Sequence, residues 1–232
     1  MTIDVSYYCS YYPTRADKIR QRTADLWNAY MFCRAVKSGK VNGYFHVPSP
    51  PTRISQANVK IARQMFGDFI VRSLAPELLQ RSFLVPVPSK DSWNTAQYRS
   101  LTMVQESLAH HDGVNILNAV RFNRELPRAA EGGARGVDAL FPYLACNADV
   151  HDRDIILVDD IATSGSTLFA TKQRLVDAGA NVIEAVVCGR TSDDITRPAF
   201  GDRRESFPDW ERAEELDFGA VDLSDLDDDI EW

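Results

Sequence analysis

The chain has 232 residues, of which 44% are hydrophobic and 25% are charged, as is ordinary for a globular protein with a core of its own. No apolar run approaches the roughly 18 residues of a membrane span, and the first residues do not resemble a secretory signal, so we expect a cytoplasmic protein with no membrane partner. The four cysteines are far apart and show no metal-ligand spacing, which predicts reduced thiols.

The net charge of −7 is concentrated in the C-terminal tail. Residues 209–232 hold 11 acidic residues and one basic residue, whereas the preceding part has 25 basic and 22 acidic residues, a net charge of +3. Acidic residues interleaved with apolar ones indicate disorder or a segment that binds a protein partner. A body of +3 could carry a basic cleft for an anionic substrate, but it is too weakly basic for nucleic acid to be an expected partner.

The first 80 residues predict helices preceded by an aromatic segment. Four tyrosines within residues 1–14 predict a strand or arm packed on the body. Apolar spacings of three, four and seven predict a helix over 16–36 that Gly39 ends, and a broad apolar face predicts a second helix from about Ser55 to Leu74. A short strand at 41–47 and a proline-rich break separate them. Three basic side chains of the second helical region are predicted to be solvated: Arg53, Lys60 and Arg63.

The middle of the chain predicts a strand, a helix and a polar loop. Residues 83–88 are typical of a strand end, because their two prolines cannot donate to a central ladder, and a helix is predicted over 94–110. A strand candidate at 116–122 leads into residues 123–136, which are poor in apolar residues and rich in arginine and glycine.

The stretch Ile155 to Thr167, IILVDDIATSGST, is the most informative in the chain. Four large apolar residues stop at Asp159 and Asp160, which predicts a strand buried in a parallel sheet with both carboxylates at its ligand-binding end. The following Thr/Ser/Gly segment offers hydroxyl and N–H groups at a helix N-terminus, which suits an anion. Carboxylates beside an anion site suit a sugar phosphate. A further buried strand at 181–188 completes a βαβ unit and predicts an α/β fold.

These residues resemble the phosphoribosyl diphosphate (PRPP) binding motif of the type I phosphoribosyltransferases. The match covers 13 consecutive residues and departs mildly at Ala162, where a larger aliphatic residue is more usual. The order of a Val-Pro-Val-Pro strand end, an Arg/Gly loop and this motif is most similar to the ComF-like branch, although the cysteine-rich zinc module of many ComF-like proteins is absent. The resemblance implies a parallel-sheet core at 81–190, a helical hood region at 1–80, and a turn-rich segment with an acidic, flexible tail at 191–232.

The resemblance also implies a role for each motif. The acidic pair would be the catalytic pair, binding the ribose hydroxyls directly or through Mg²⁺ that arrives with PRPP. A loop after the strand at 83–88 would bind the diphosphate; the alternative is an ordinary strand-to-helix turn. A mobile lid within residues 123–136 would close over the site; the alternative is a connection whose arginines only keep the chain soluble. The residues assigned are Asp159 and Asp160 for the ribose and metal, Thr163, Ser164, Gly165, Ser166 and Thr167 for the 5′-phosphate, Pro88, Ser89 and Lys90 for the diphosphate, and Arg128 and Arg135 for the lid.

The implied activity is transfer of a phosphoribosyl group from PRPP to a nitrogenous base or related acceptor, with release of diphosphate. The alternative is a non-catalytic regulatory protein of the same fold that binds PRPP or a nucleotide, and ComF-like proteins are linked to DNA uptake. The acidic tail could recruit a protein partner, and the chain could form a homodimer. Two other nucleotide-binding folds are excluded, the P-loop fold and the dinucleotide-binding fold, because the chain has neither a Walker A loop nor a Gly-x-Gly-x-x-Gly fingerprint.

Overall fold

The computed structural model describes residues 2–13, 22–126 and 136–207. Strands and helices are numbered in chain order. The strands are β1 (Ile3–Tyr11), β2 (Tyr44–Pro48), β3 (Pro51–Ser55), β4 (Phe83–Pro86), β5 (Asn115–Ile116), β6 (Val120–Phe122), β7 (Leu144–Cys146), β8 (Asp154–Ala162), β9 (Asn181–Thr191) and β10 (Phe200–Phe207). The helices are α1 (Ala24–Ser38), α2 (Lys60–Ser73), α3 (Pro76–Arg81), α4 (Arg99–Leu108), α5 (Val137–Leu140) and α6 (Ser166–Asp177), with 3₁₀ turns at Gln56–Asn58, Lys90–Trp93 and Phe141–Tyr143.

A six-stranded sheet with the order β10–β1–β9–β8–β4–β5 forms the centre of the fold. Its strands run parallel except for β10, which pairs antiparallel with β1 at one edge. The α/β class with a mostly parallel sheet, predicted from the sequence, is therefore confirmed. Two short antiparallel ribbons, β2–β3 and β6–β7, lie outside this sheet.

Apolar cores cover both faces of the sheet, which explains why its inner strands are continuous hydrophobic runs. One core joins the sheet to α1, α2 and α4, and it receives Ile156 and Val158 of β8. The other joins it to α6 and the β6–β7 ribbon, and it receives Ile155 and Leu157. Because successive strand residues point to opposite faces, the four apolar residues of the motif stabilise both cores.

The aromatic segment near the N-terminus is an inner strand of the sheet. Strand β1 lies between β9 and β10, and its tyrosines are buried, with Tyr8 and Tyr11 on the α1 side and Tyr7 on the other. The sheet thus draws strands from all three segments distinguished in the sequence, since β1 comes from residues 1–80 and β10 from residues 191–232. Strand β10 was not predicted, because its interior, Gly-Asp-Arg-Arg-Glu-Ser, lacks the alternation of apolar and polar residues that indicates a strand. Such a polar sequence can form a strand at the edge of the sheet, where one face is exposed.

Helix α1 crosses the carboxyl ends of the inner strands. It begins after Thr23, whose hydroxyl accepts a hydrogen bond from the Leu26 N–H at 3.2 Å, and ends at Gly39, which adopts the left-handed conformation with φ of 67°. Tyr30 stacks on Tyr11 at the end of β1, and Lys37 reaches the end of β8. The helix therefore forms a wall over the edge of the sheet where ligands bind in such folds.

Two predicted helices begin later than expected, at Ala24 instead of residue 16 and at Lys60 instead of Ser55, and two further predicted elements differ from the observed ones. The helix predicted over 94–110 begins at Arg99, because Lys90–Trp93 forms a separate 3₁₀ turn. The strand predicted over 116–122 is two pieces, since β5 pairs with β4 whereas β6 leaves the sheet and pairs with β7. Within the ranges that the structure describes, no helix combines the length and apolar character needed to cross a membrane.

Candidate functional site

The sheet contains a switch point between β4 and β8. Helix α4 follows β4 and leads toward β5, whereas α6 follows β8 and leads to β9 on the other side, and the two helices lie on opposite faces. Pairing between the two strands ends where the Val87 N–H donates to the Val158 carbonyl at 2.9 Å. Beyond that point β4 and β8 are no longer paired, and we call the space between their ends the crevice. In open α/β sheets, this is where ligands bind.

The acidic pair lies at this crevice, although not at a strand end as predicted. Strand β8 continues to Ala162 by pairing with β9 alone, and only its β4 side opens after Val158. The Asp159 carboxylate accepts a hydrogen bond from the Asp160 N–H at 2.8 Å, and the Asp160 carboxylate accepts one from the Ile161 N–H at 2.6 Å. The alternation of the strand aims Asp159 to the α6 side and Asp160 to the α1 side.

The two carboxylates are not electrostatically equivalent. Burial raises the pKa of Asp159 well above its usual range, and the neighbouring charge of Asp160 raises it further. Asp160 forms an ion pair with Lys37, whose Nζ lies 3.2 Å from its Oδ2. With both carboxyl groups ionised, the pair would carry one negative charge more than Lys37 balances, and a cation or hydroxyl donors would stabilise that form.

Lys37 is held in place by the buried Arg63, which the sequence predicted to be solvated; that prediction is wrong. The Arg63 Nε donates to the Val36 carbonyl at 2.8 Å and its Nη2 to the Lys37 carbonyl at 3.1 Å, while its Nη1 pairs with Glu106 of α4 at 2.7 Å. These bonds satisfy carbonyls at the C-terminus of α1. The signal was present in the sequence: Val59, Arg63 and Phe66 follow each other at spacings of four and three, which places Arg63 on the buried face of α2.

The loop Thr163–Thr167 forms the N-terminal approach to α6. Gly165 caps the helix with φ of 79°, and the Phe169 N–H donates to the Gly165 carbonyl at 2.8 Å. The Thr167 and Leu168 N–H groups therefore have no intrahelical partner, while the Ser166 N–H donates to the Ser164 hydroxyl at 3.3 Å. The first turn contains no acidic residue, so its dipole is left uncompensated and favours an anion.

Arg190 of β9 fixes the start of this loop, and the sequence did not indicate it. Its Nη1 donates to the carbonyls of Thr163 at 2.5 Å and Ala162 at 3.3 Å, and its Nε pairs with Glu205 of β10 at 2.8 Å. The Thr163 hydroxyl lies 3.0 Å from the Thr191 hydroxyl. Because β9 and β10 thereby hold the loop backbone, the loop is preorganised.

The turn Pro88–Lys90 lies across the crevice, directly after β4. The Ser89 N–H donates to the Ser100 hydroxyl at 3.1 Å, and the Ser89 hydroxyl donates to the Asp91 carboxylate at 2.5 Å. Pro88 is buried. Ser89 and Pro88 therefore shape the turn, whereas Lys90 is exposed and forms no ion pair with any described residue. Of the three predicted diphosphate-binding residues, Lys90 has the side chain left to meet a ligand.

The predicted lid arginines, Arg128 and Arg135, lie outside the described residues. The described chain stops at residue 126, after β6, and resumes at residue 136, before α5 and β7. Arg121 at the base of the β6–β7 ribbon donates to the carbonyls of Ser92, at 2.8 and 2.6 Å, and Thr95, at 2.6 Å. The ribbon is thereby anchored beside the turn that follows β4.

The fold is α/β, and the candidate site at the switch point of its parallel sheet brings together a carboxylate pair, a helix N-terminus and Lys37. No protein-family model and no curated protein matches the chain. The chain is similar to the solved structure of phosphoribosylpyrophosphate synthetase from Mycobacterium smegmatis, with 15% identity, coverage of 57% of this chain and 34% of that chain, and a TM-score of 0.36. It is also similar to the structure of glutamine PRPP amidotransferase from B. subtilis, with 19% identity, coverage of 67% of this chain and 30% of that chain, and a TM-score of 0.41. A third similar structure is adenine phosphoribosyltransferase from Thermoanaerobacter pseudethanolicus, with 12% identity, coverage of 60% of this chain and 88% of that chain, and a TM-score of 0.38. The chain spans about a third of the length of the first two proteins.

Proposed function

We propose that this chain binds PRPP in the crevice and transfers its phosphoribosyl group to a nitrogenous base or related acceptor, with release of diphosphate. One observation carries the proposal: a carboxylate pair and an uncompensated helix N-terminus lie at the two ends of a single short segment, Asp159 to Thr167. A ligand that satisfies both must present hydroxyls or a cation at one end and an anion at the other. A ribose 5-phosphate unit has this pattern.

The 5′-phosphate would bind at the start of α6. The Thr167 and Leu168 N–H groups can donate to it, and the hydroxyls of Ser164 and Ser166, 2.9 Å apart, lie at the same turn. Donors fixed in the backbone need no rearrangement on binding, so less conformational entropy is lost.

The ribose would face the acidic pair. Asp159 and Asp160 can accept hydrogen bonds from the two sugar hydroxyls, which would replace the repulsion between the carboxylates with favourable contacts. On the β4 side of the crevice, Lys90 would supply positive charge to the diphosphate.

The acidic pair also suits Mg²⁺, since hard cations prefer carboxylate and water oxygens and a nearby cation favours the ionised form of Asp159. Mg²⁺ would arrive with PRPP, and Asp159 and Asp160 would hold it through water or directly; when bound, it would neutralise charge on the diphosphate oxygens.

Transfer at the sugar carbon develops positive charge on the ribose as diphosphate leaves. The carboxylates of Asp159 and Asp160 would stabilise that charge, and the α6 N-terminus would fix the sugar by its phosphate so that acceptor and leaving group stay in line. The chain's contribution is positioning and electrostatics. Because of the order of the motifs in the chain, we further propose that its nearest relatives among the type I phosphoribosyltransferases are the ComF-like proteins.

A second candidate is a regulatory protein that binds PRPP or a nucleotide without turnover. The ion pair between Lys37 and Asp160 bears on both candidates, because it must loosen before Asp160 can bind the ribose of PRPP, with or without turnover.

Incubation with labelled PRPP, Mg²⁺ and a panel of bases, followed by measurement of diphosphate release, tests both candidates. Release with one base supports transfer, and calorimetric binding without release supports the regulator. The double variant Asp159→Asn with Asp160→Asn should weaken PRPP binding at least tenfold, whereas Asp112→Asn, an exposed residue between α4 and β5, should not change it. Absence of binding by the folded wild-type protein would contradict both candidates.

A further inference from the structure

Three of the four cysteines meet in the interior, although they are far apart in the sequence. Cys9 lies on β1, Cys188 on β9 and Cys33 on α1, and each is fully buried. Their Sγ atoms all lie within 4.8 Å of one another, with 3.8 Å between Cys33 and Cys188. The spacing of the cysteines in the sequence did not indicate this group, because the sheet order assembles it.

The close approach of α1 to the sheet brings the sulfurs together. Gly189 lies beside Cys188, and a Cβ atom at this position would come within 2.7 Å of the Cys33 sulfur and 3.2 Å of the Tyr11 Cβ. Only a residue without a side chain therefore allows Cys33 to reach the strands. The cluster is part of the apolar core on the α1 side of the sheet.

From this arrangement we propose that Cys9, Cys33 and Cys188 form a buried binding site for a soft metal ion of low coordination number, Cu(I). Three thiols with no oxygen or nitrogen donor suit a soft ion. Among the described residues, no histidine or carboxylate completes the cluster to the four ligands usual for structural Zn²⁺.

The distances fit metal binding better than a disulfide. At a metal–sulfur distance of about 2.3 Å, three sulfurs around an ion in their plane lie roughly 4.0 Å apart. The observed 3.8 Å between Cys33 and Cys188 is close to this value, and the remaining sulfurs need to move by less than about 1 Å. A disulfide requires a sulfur–sulfur distance of about 2.05 Å, which is a larger displacement.

Cu(I) binding at this site is coupled to the loss of protons from the thiols. Each thiol that binds as thiolate releases one proton to solvent, so Cu⁺ held by three thiolates displaces three protons and leaves a cluster with a net charge of −2. The Cu(I) affinity should therefore rise with pH. Because the site is closed, binding should be slow and limited by local opening of the core.

The test uses the full chain, reduced and held without oxygen, and measures transfer of Cu(I) from a coloured Cu(I) chelator. We expect one Cu(I) per chain. The variants Cys9→Ala, Cys33→Ala and Cys188→Ala should each lower the Cu(I) affinity tenfold or more. The control Cys146→Ala should change it less than twofold, because Cys146 lies on β7 in the other core.

X-ray absorption on the wild-type protein gives a readout that does not depend on folding of the variants. Three sulfurs at about 2.3 Å from copper are expected. The proposal is overturned if no Cu(I) leaves the chelator, if Cys146→Ala loses copper as the core variants do, if only two sulfurs coordinate, or if Zn²⁺ displaces Cu(I) at equal concentration. None of these outcomes depends on PRPP binding.

Discussion

The bonds of Arg63 allow the stability of the α1 wall to be predicted. Its guanidinium is nearly inaccessible, and it donates to the carbonyls of Val36 and Lys37. In Arg63→Met the length and apolar stem remain, but both carbonyls lose a charged donor. Hydrogen bonds to charged groups contribute about 1.5–3 kcal/mol each. Part of this loss is offset, because the variant no longer has to bury a guanidinium. We therefore expect the free energy of unfolding to fall by roughly 2–4 kcal/mol.

Glu106→Gln is the matched control for this prediction. The Glu106 carboxylate pairs with Arg63 but is 49% exposed, so the charge contributes about 1 kcal/mol or less, and glutamine can still accept the hydrogen bond. Urea unfolding followed by circular dichroism measures both variants, with equal slopes required for the comparison. A loss below about 1 kcal/mol in Arg63→Met, or an equal loss in Glu106→Gln, would refute the structural role of the carbonyl contacts.

Three further predictions concern the site itself. The raised pKa of Asp159 means that the folded chain keeps a proton that the unfolded chain has already released, so stability should fall as the pH rises from the unfolded-state pKa to the folded-state pKa of Asp159. Asp159→Asn should remove this part of the pH dependence of the melting temperature. At a pH above the folded-state pKa of Asp159, the variant should melt at a higher temperature than wild type. Arg190→Met should weaken PRPP binding at least tenfold in calorimetry by freeing the Thr163 carbonyl, and an unchanged affinity would contradict the loop argument. Gly165→Ala should cost about 1–2 kcal/mol in urea unfolding, because its φ of 79° and a contact 3.2 Å from Phe207 both oppose a Cβ; a neutral effect would contradict it.

The sequence predicted the parts of this molecule whose signals are local. The run from Ile155 to Val158 is apolar because the strand is buried on both faces, and the polar segment after it marks the start of α6, so strand, loop and helix could be read from adjacent residues. The tyrosine-rich segment and the end of the first helix at Gly39 were predicted on similar grounds, whereas that helix begins at Ala24 and not at residue 16.

Contacts made by the tertiary fold could not be read in this way. Lys37 meets Asp160 because α1 crosses the sheet edge, and Arg190 reaches the loop because β9 lies beside β8. The cysteine cluster requires β1 to lie next to β9, which no spacing in the sequence encodes. Each of these depends on the strand order, and strand order follows from packing of the whole chain rather than from any single segment.

The electrostatics of the crevice lead to a last prediction, on ligand selectivity. The carboxylate pair repels anions, whereas the start of α6 attracts them, so inorganic phosphate should bind weakly at one end and ribose weakly at the other. Ribose 5-phosphate joins both groups, so the protein should bind it at least tenfold more tightly than either fragment. This factor corresponds to about 1.4 kcal/mol of added binding free energy. Calorimetry with the three compounds tests this. Equal affinities for phosphate and ribose 5-phosphate would show that the acidic pair does not bind the sugar, and Asp112→Asn, remote from the crevice, should leave all three affinities unchanged.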